Sequence, residues 1–496
     1  MDRTMAEQLN ADASATSLGR FWLFAALILL LRVVSLWFNN TPLFFDEAQY
    51  WVWAKEPAFG YFSKPPLLAW TIAGFSGICG DSEFCVRLAS PLLHTLTGFF
   101  VFLAGRALFD TRIGLVAGIG WLLLPAVSLS STLISTDVPL LLCWSAALWA
   151  FIGYRRDRAG KWLAVLALAF GLGLNAKYAM AYFLLCFVVY AVLTRDGRGL
   201  LRDWRLWAAF AAGLAFLIPN LLWQAQNQFT TVTHTGDNIG WGGHFPNLAG
   251  LGEFLGSQFG VAGPIVFAVY LIALFRLWRE GASSGQKLLI AFSLPVLALI
   301  SFQAIMSKAF ANWAATAFPA VVLLVSELFV RHMAQVWMRL SNGIHGVVFA
   351  VIAVIVAFAG PGQLPLGEKQ NPFNRMWGGP ELGEAVADAA RAEGIENVLS
   401  GSRKRSATLI YYLRDEPLTV HAWREGDAPG DHFELTRALQ DRPDLAGASF
   451  LYPANGETVP QAVASHFAAV RLAGEVPEHE GSNKLLRIFV LEGYRP

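Results

Sequence analysis

The stretch "FWLFAALILLLRVVSLWFNNTPLFFDEAQYWVWAK", Phe21 to Lys55, joins an apolar run to two adjacent carboxylates and a ring-rich segment. Its first part, Phe21 to Phe38, is long enough to cross a hydrocarbon core and has no small-residue cleavage site behind it, so it reads as a retained membrane span. The whole chain repeats that signal. Of 496 residues, 55% are hydrophobic and 15% charged, a balance that excludes an ordinary soluble protein. Runs of spanning length recur near 21–38, 86–105, 113–129, 138–153, 162–176, 178–193, 205–223, 259–277, 288–306, 313–330 and 343–360, which predicts a polytopic α-helical membrane protein of about eleven helices. A net charge of +1 provides no electrostatic footprint for a nucleic acid.

Lys and Arg sort the connections into two alternating sets, as expected when basic residues collect on the cytoplasmic side. One set is basic, from Arg106 and Arg112 through Arg155, Arg156, Arg158 and Lys161 to Arg331 and Arg339. The other is poor in cations, and its longest connection, 224–258, has no Lys or Arg. The alternation predicts a polar cytoplasmic tail at 1–20, a disordered one by its small side chains, and a transmembrane domain at 21–360 whose loops 39–85 and 224–258 face outward. From residue 361 to 496 the hydropathy drops. The runs "NVLSG", "LTVHAW", "ASFLYP" and "LLRIFVLEG" read as strands, and "ELGEAVADAARAEG" and "QAVASHFAAVRLAG" as helices, which predicts a small external α/β domain.

Asp46 and Glu47 at the centre of a bilayer would cost about 2.5–3.5 kcal/mol each, so the pair belongs at or beyond the external boundary. The rings that follow, Trp51, Trp53, Phe59, Tyr61 and Phe62, alternate with Lys55 and Lys64 and suit an amphipathic segment lying along the membrane surface. A helix cap or a solvated pair would also explain the carboxylates, and an interfacial anchor would explain Lys64. The same outward side, however, gathers Asp137 in "STDVPLL", Lys177 in "NAKYAM", His234, Asp237 and Asn238 in "HTGDN", and Lys308, Asn312 and Trp313 at the next turn. Such groups suit displacement of a phosphate leaving group from carbon, with a carboxylate to orient or deprotonate an attacking hydroxyl and lysines to neutralise the phosphate. No phosphate-binding loop, serine-hydrolase elbow, zinc-protease helix or dinucleotide fingerprint is present. Cys143 and Cys186 lie in apolar runs, whereas Cys79 and Cys85 pair if their loop faces an oxidising compartment.

The runs "FFDEAQYW", "GYFSKPPLLAW", "STDVPLLLCWSAALW", "GLGLNAKYAM" and "NWAATAFPA" resemble the bacterial membrane glycosyltransferases related to protein O-mannosyltransferases. That group includes the lipid A aminoarabinose transferases and the rhizobial-type galacturonosyltransferases of lipopolysaccharide. The resemblance covers most of the chain to Pro319 and is densest in the first seventy residues. It implies a GT-C fold and inverting transfer of a single sugar from a polyprenyl-phosphate donor to a periplasmic-face acceptor. The acceptor it implies is a lipid or glycolipid of the lipopolysaccharide or lipid A class, or alternatively a protein hydroxyl.

By the same resemblance Asp46, with Glu47 beside it and Asp137 on the second loop, is the catalytic group, Lys64 with Tyr61 and Lys177 meets the donor phosphate, and Arg87 matches a recurrent arginine of open role; His234, Asp237 and Asn312 join the substrate-binding set by their place on the same outward side. The "HTGDN" run departs from the aminoarabinose branch, so neither sugar nor acceptor carries over from it. Asp46, Glu47 and Asp137 can be imagined around a divalent cation, but a donor with one phosphate and several lysines favours a reaction with no metal and no other cofactor. The rival class is a transporter or flippase of lipid-linked sugar. Transporters place ionisable residues near the bilayer midplane, often in two related halves, whereas here they gather at one end.

Overall fold

The computed structural model describes residues 3–496 apart from 232, 234, 235, 237–239, 241–244, 361–369, 372, 480 and 481, with side chains from Ala15 onward. Two compact units emerge: the first comprises Met1–Trp37, Lys64–Leu68 and Arg87–Val356, the second Phe38–Ser63, Ala69–Val86 and Ala357–Pro496.

The first unit is helical. Six helices among the described residues are long and apolar enough to cross a membrane, and eight if each of two bent pairs counts as one span, against the eleven runs expected from hydropathy. Prolines and glycines explain part of the difference. Leu124 is extended ahead of Pro125 and divides the run at 113–129 into Thr111–Leu123 and Pro125–Ser130. Gly263, at φ +82°, divides another, and the helices Leu248–Ala262 and Pro264–Glu280 on either side of it meet at 116°. Gly160–Ala176 and Tyr178–Leu193 are apolar but shorter than a full span. At the other extreme, a single helix, Arg3–Trp37, takes in most of the expected tail, whose Ala, Leu, Gln and Glu are good helix formers. Neighbouring helices approach closely where glycines meet: a Cβ added to Gly114 would lie 2.6 Å from the Phe102 carbonyl oxygen.

The Asp137–Asp157 helix sets the axis of this unit. Its 21 residues span about 31 Å, close to the thickness of a hydrocarbon core. Beyond its last turn, Arg158 pairs with Asp203 at 3.4 Å, and Arg155 with Asp196 at 3.5 Å, so the basic connections collect there. At its first residue the cation-poor connections collect instead, around Asp137. The ion pairs of Arg155 and Arg158 and the partners of Asp137 therefore lie at opposite ends of this helix.

The second unit is built on a mixed five-stranded sheet in the order β2 (Thr419–Ala422), β1 (Asn397–Ser400), β3 (Phe450–Ala454), β5 (Leu485–Tyr494), β4 (Phe467–Pro477). β1 is parallel to β2 and β3, and β5 is antiparallel to β3 and β4. Alternation along each strand feeds two cores. Val398, Leu451, Ile488 and Val490 join Leu382, Val386 and Leu409 from the helices Gly379–Glu393 and Arg403–Tyr412. Leu399, Phe450, Tyr452, Phe489 and Leu491 pack on the other face with Trp423 and Phe467. The four expected strands form. "QAVASHFAAVRLAG" does not form the helix its alanines suggest: it gives a short turn of helix, Gln461–Ala464, and then the eleven-residue strand β4, because its long pairing to β5 overrides local propensity.

Part of the expected external loop belongs to this unit. The Phe45–Lys55 helix packs on Arg403–Tyr412, where Trp51 meets Tyr411 edge to face with ring centres 4.9 Å apart. Asp81 ties them together, accepting from the Trp51 indole at 2.8 Å and from Lys55 at 2.7 Å, while its carbonyl accepts from the Tyr411 hydroxyl at 2.6 Å. Cys79 and Cys85 close a disulfide beside it. Trp51, Trp53 and Tyr61 are accordingly buried in protein, where an interfacial segment would have laid them on the membrane; Phe59 is the exposed ring.

Candidate active site

Asp46 and Glu47 both sit in the first turn of the Phe45–Lys55 helix, where carboxylates complement the positive end of the helix dipole. Their environments differ. Glu47 is buried, and its Oε2 accepts from the Phe44 backbone N–H at 3.0 Å, the reach-back half of a capping box in which Phe44 has no side-chain acceptor to reciprocate. Asp46 keeps 35% of its side chain exposed, and its Oδ1 accepts from Arg403 Nη1 at 2.9 Å. Arg403 also donates to Gln49 Oε1 at 3.1 Å and stands over the Phe45 ring. It opens the Arg403–Tyr412 helix, which Ser402 caps. A residue from the C-terminal sequence thus orients the carboxylate of the first loop.

Tyr61 is spent on the loop that carries it. Its hydroxyl donates to the Trp53 carbonyl at 2.7 Å and accepts from Ala58 N at 3.1 Å, and its ring stacks on Trp53. Burial pushes the phenol up to about 12. His432 stands edge-on to both rings, and burial, aided by the neighbouring Arg437, pushes its imidazole down to about 3. Arg437 in turn pairs with Glu56 at the end of the loop helix.

In the first unit, three connections distant in sequence converge on Asp137. Lys177 Nζ donates to its Oδ1 at 2.7 Å and Asn312 Nδ2 to its Oδ2 at 2.7 Å. The Lys177 side chain is 21% exposed and that of Asp137 10%, so the pair is shielded from solvent. Asn312 lies in the short turn Ala311–Ala317, and Lys177 in extended backbone closing the Gly160–Ala176 helix. Three residues expected at the site from sequence are therefore in direct contact. Lys64 is half-buried just ahead of Pro65 and Pro66, and Arg87 is buried at the end of the Glu83–Arg87 helix; both fall in the first unit. His234 and Asp237 lie outside the described residues. Among the described residues, no three His, Cys, Asp or Glu side chains gather in a metal-holding group.

Arg403 is the site residue that sequence reasoning missed. A signal was available: "SRKRS" places three cations in the first turn of a helix, against the helix dipole, which costs about 0.3–1 kcal/mol each unless an anion answers them.

The family described as dolichyl-phosphate-mannose-protein mannosyltransferase matches residues 63–223. The lipid A galacturonosyltransferase RgtD of Rhizobium johnstonii is 34% identical over 411 residues, which cover 83% of this chain and 86% of RgtD. The lipopolysaccharide core galacturonosyltransferase RgtA of the same organism is 28% identical over 186 residues, 37% of each chain. The crystal structure of apo ArnT from Cupriavidus metallidurans matches with a TM-score of 0.67 at 19% identity, over 96% of this chain and 98% of ArnT. The same enzyme bound to undecaprenyl phosphate matches at 0.64 and 17%, over 95% and 98%. The fold is thus the GT-C fold that the sequence led us to expect.

Proposed function

We propose a reaction for this chain on the premise that it belongs to the GT-C family of membrane glycosyltransferases that includes the lipid A galacturonosyltransferase RgtD. It transfers one sugar, with inversion, from a polyprenyl-phosphate donor to a glycolipid acceptor of the lipid A class at the periplasmic face of the inner membrane. The observation that carries this reading is the 34% identity to RgtD across 86% of that enzyme's length. The capture of undecaprenyl phosphate by ArnT supports the donor class. The Cys79–Cys85 disulfide supports an oxidising compartment for the second unit.

Asp46 is the carboxylate suited to the reacting end. One oxygen is oriented by Arg403, and the other accepts no hydrogen bond from the described residues. It takes the proton of an acceptor hydroxyl as that oxygen bonds to the anomeric carbon and the bond from that carbon to the phosphate oxygen breaks. A phosphate acceptor carries no such proton, and Asp46 then orients the nucleophile or stabilises the positive charge at the anomeric carbon. Lys64 and Lys177 meet the departing polyprenyl phosphate. Asp137, itself fixed by the Asn312 amide, holds Lys177 in place through one hydrogen bond, which uses a single ammonium donor and leaves the others for phosphate oxygens. Glu47 and Tyr61 act through the loop, by fixing the helix start and the turn after it.

Mass spectrometry of the envelope glycolipids from cells with and without the protein tests this. A single sugar residue missing from a lipid A-type glycolipid in the deletion strain is the expected result; an unchanged glycolipid profile would overturn the reading.

A further inference from the structure

The second unit satisfies most of its arginines internally. Arg391 pairs with Glu416 and Asp388, Arg424 with Asp441, Arg437 with Glu56, Arg442 with Asp444, Arg471 with Glu393 and Glu492, and Arg487 with Glu475. Among the described residues Arg495, near the C-terminus, and three further cations break the pattern, and those three line one cleft. Arg375, Lys404 and Arg405, with Phe45, Gly378 and Asn455, border a cavity of about 100 Å3. Among the described residues no carboxylate lies within ion-pair distance of any of the three. Arg375 rests on the Phe44 ring, Arg405 donates to the Pro453 carbonyl at 2.8 Å and to Asn455, and Lys404 is exposed. The one acid on the wall, Glu478, is engaged by Asn455 at 3.0 Å and by Lys484 at 3.8 Å. Glu478 offsets part of the charge of Arg405, and with three cations against one acid the cleft remains net positive. Lys404 and Arg405 moreover sit in the first turn of a helix, where the dipole disfavours them.

The position of the cleft matters as much as its charge. Phe44 and Phe45 immediately precede Asp46, and Lys404 and Arg405 immediately follow Arg403, the residue that holds Asp46. An anion in the cleft would lie against the starts of both helices that make that contact. From this placement we propose that the Arg375–Lys404–Arg405 cleft binds an anionic group, phosphate or carboxylate, on the glycolipid acceptor and so presents the acceptor's nucleophile to Asp46. The proposal rests on the transferase reading above. It adds which end of the substrate pair the second unit recognises: the acceptor's fixed negative charge, not the phosphate that departs with the polyprenol.

The test uses full-length protein in nanodiscs, a labelled polyprenyl-phosphate sugar, and one glycolipid acceptor in its phosphorylated and enzymatically dephosphorylated forms. Arg375→Ala with Lys404→Ala is expected to raise the KM for the phosphorylated acceptor about tenfold or more while the donor KM stays put, with Lys404→Arg restoring most of the loss. Removing the acceptor phosphate should weaken the wild type to a similar degree and the double variant little further. An acceptor carrying a carboxylate in place of the phosphate reports whether the cleft reads charge or phosphate geometry, and preference for either over the neutral form supports the proposal. A changed donor KM with an unchanged acceptor KM would overturn it, as would equal loss on charged and neutral acceptors. Co-sedimentation with vesicles holding the phosphorylated glycolipid, against vesicles of equal charge made with phosphatidylglycerol, gives a readout independent of turnover. Selective binding by the wild type and not by the double variant supports the cleft even if no sugar is transferred, in which case the transferase reading fails alone; equal binding to both vesicles overturns the cleft.

Discussion

Asp46 and Asp137 are both aspartates at the first turn of a helix, each held by a cation distant in sequence, and they are held differently. Asp46 in the second unit meets one guanidinium across a pair whose side chains are 35% and 38% exposed, and its second oxygen accepts no hydrogen bond from the described residues. Asp137 in the first unit has both oxygens taken, by Lys177 and Asn312, and is shielded. A screened, half-satisfied carboxylate can change partners or accept a proton at little structural cost. A shielded, fully satisfied one fixes the chain around it and leaves a partly buried cation without its partner if removed. The contrast is the ground for proposing chemistry at the first and positioning at the second.

The largest effect should therefore come from Asp46→Asn, which is expected to lower the rate of sugar transfer about 100-fold or more with an unchanged thermal midpoint. If that variant instead melts early and keeps its rate, the two aspartates have been assigned the wrong way round. Asp137→Ala should do the converse and destabilise the protein by about 3 kcal/mol in chemical unfolding, because Lys177 loses its partner in a shielded place. Adding Lys177→Met should recover part of that loss, a coupling that Arg403→Ala with Asp46→Ala should not show at comparable size.

A pH experiment sharpens the contrast between the units. In the folded protein the His432 imidazole is pushed down to about 3, while the unfolded chain keeps the ordinary value near 6.5. Below pH 6.5 the unfolded state binds a proton that the folded state refuses, so stability is fully present above that pH and falls as the pH drops toward 3, by up to about 1.4 kcal/mol per pH unit. Hydrogen exchange should place the loss around His432 in the second unit, and His432→Phe should flatten it. The smallest effect is expected from Tyr61→Phe, about 1–2 kcal/mol through the hydroxyl's hydrogen bonds to the loop backbone, read as faster exchange between Trp53 and Tyr61.

What the sequence made legible follows from what kind of signal each feature leaves. Apolar runs and alternating loop charge mark membrane helices and their ends, which is why Asp137, Lys177 and Asn312 could be expected on one side before any contact was known. Helix boundaries inside those runs were less legible, since Pro125 and Gly263 act through backbone geometry that hydropathy does not register. The expectation failed most where the contact is tertiary. Nothing local in "DEAQYWVW" announces that its rings pack against Tyr411 and His432, and a belt of Trp and Tyr reads equally well as membrane surface. For the same reason Arg403 was visible only as an ill-placed charge, without its partner.

The most direct measurement of the central claim is single-turnover transfer by reconstituted protein, with a polyprenyl-phosphate sugar labelled with carbon-13 at the anomeric carbon and NMR of the glycolipid product. The label is predicted to appear on the glycolipid with its anomeric configuration inverted, and to do so far more slowly with Asp46→Asn. Label that stays on the polyprenyl phosphate and only changes membrane leaflet, or that reaches the acceptor with retained configuration, would contradict it.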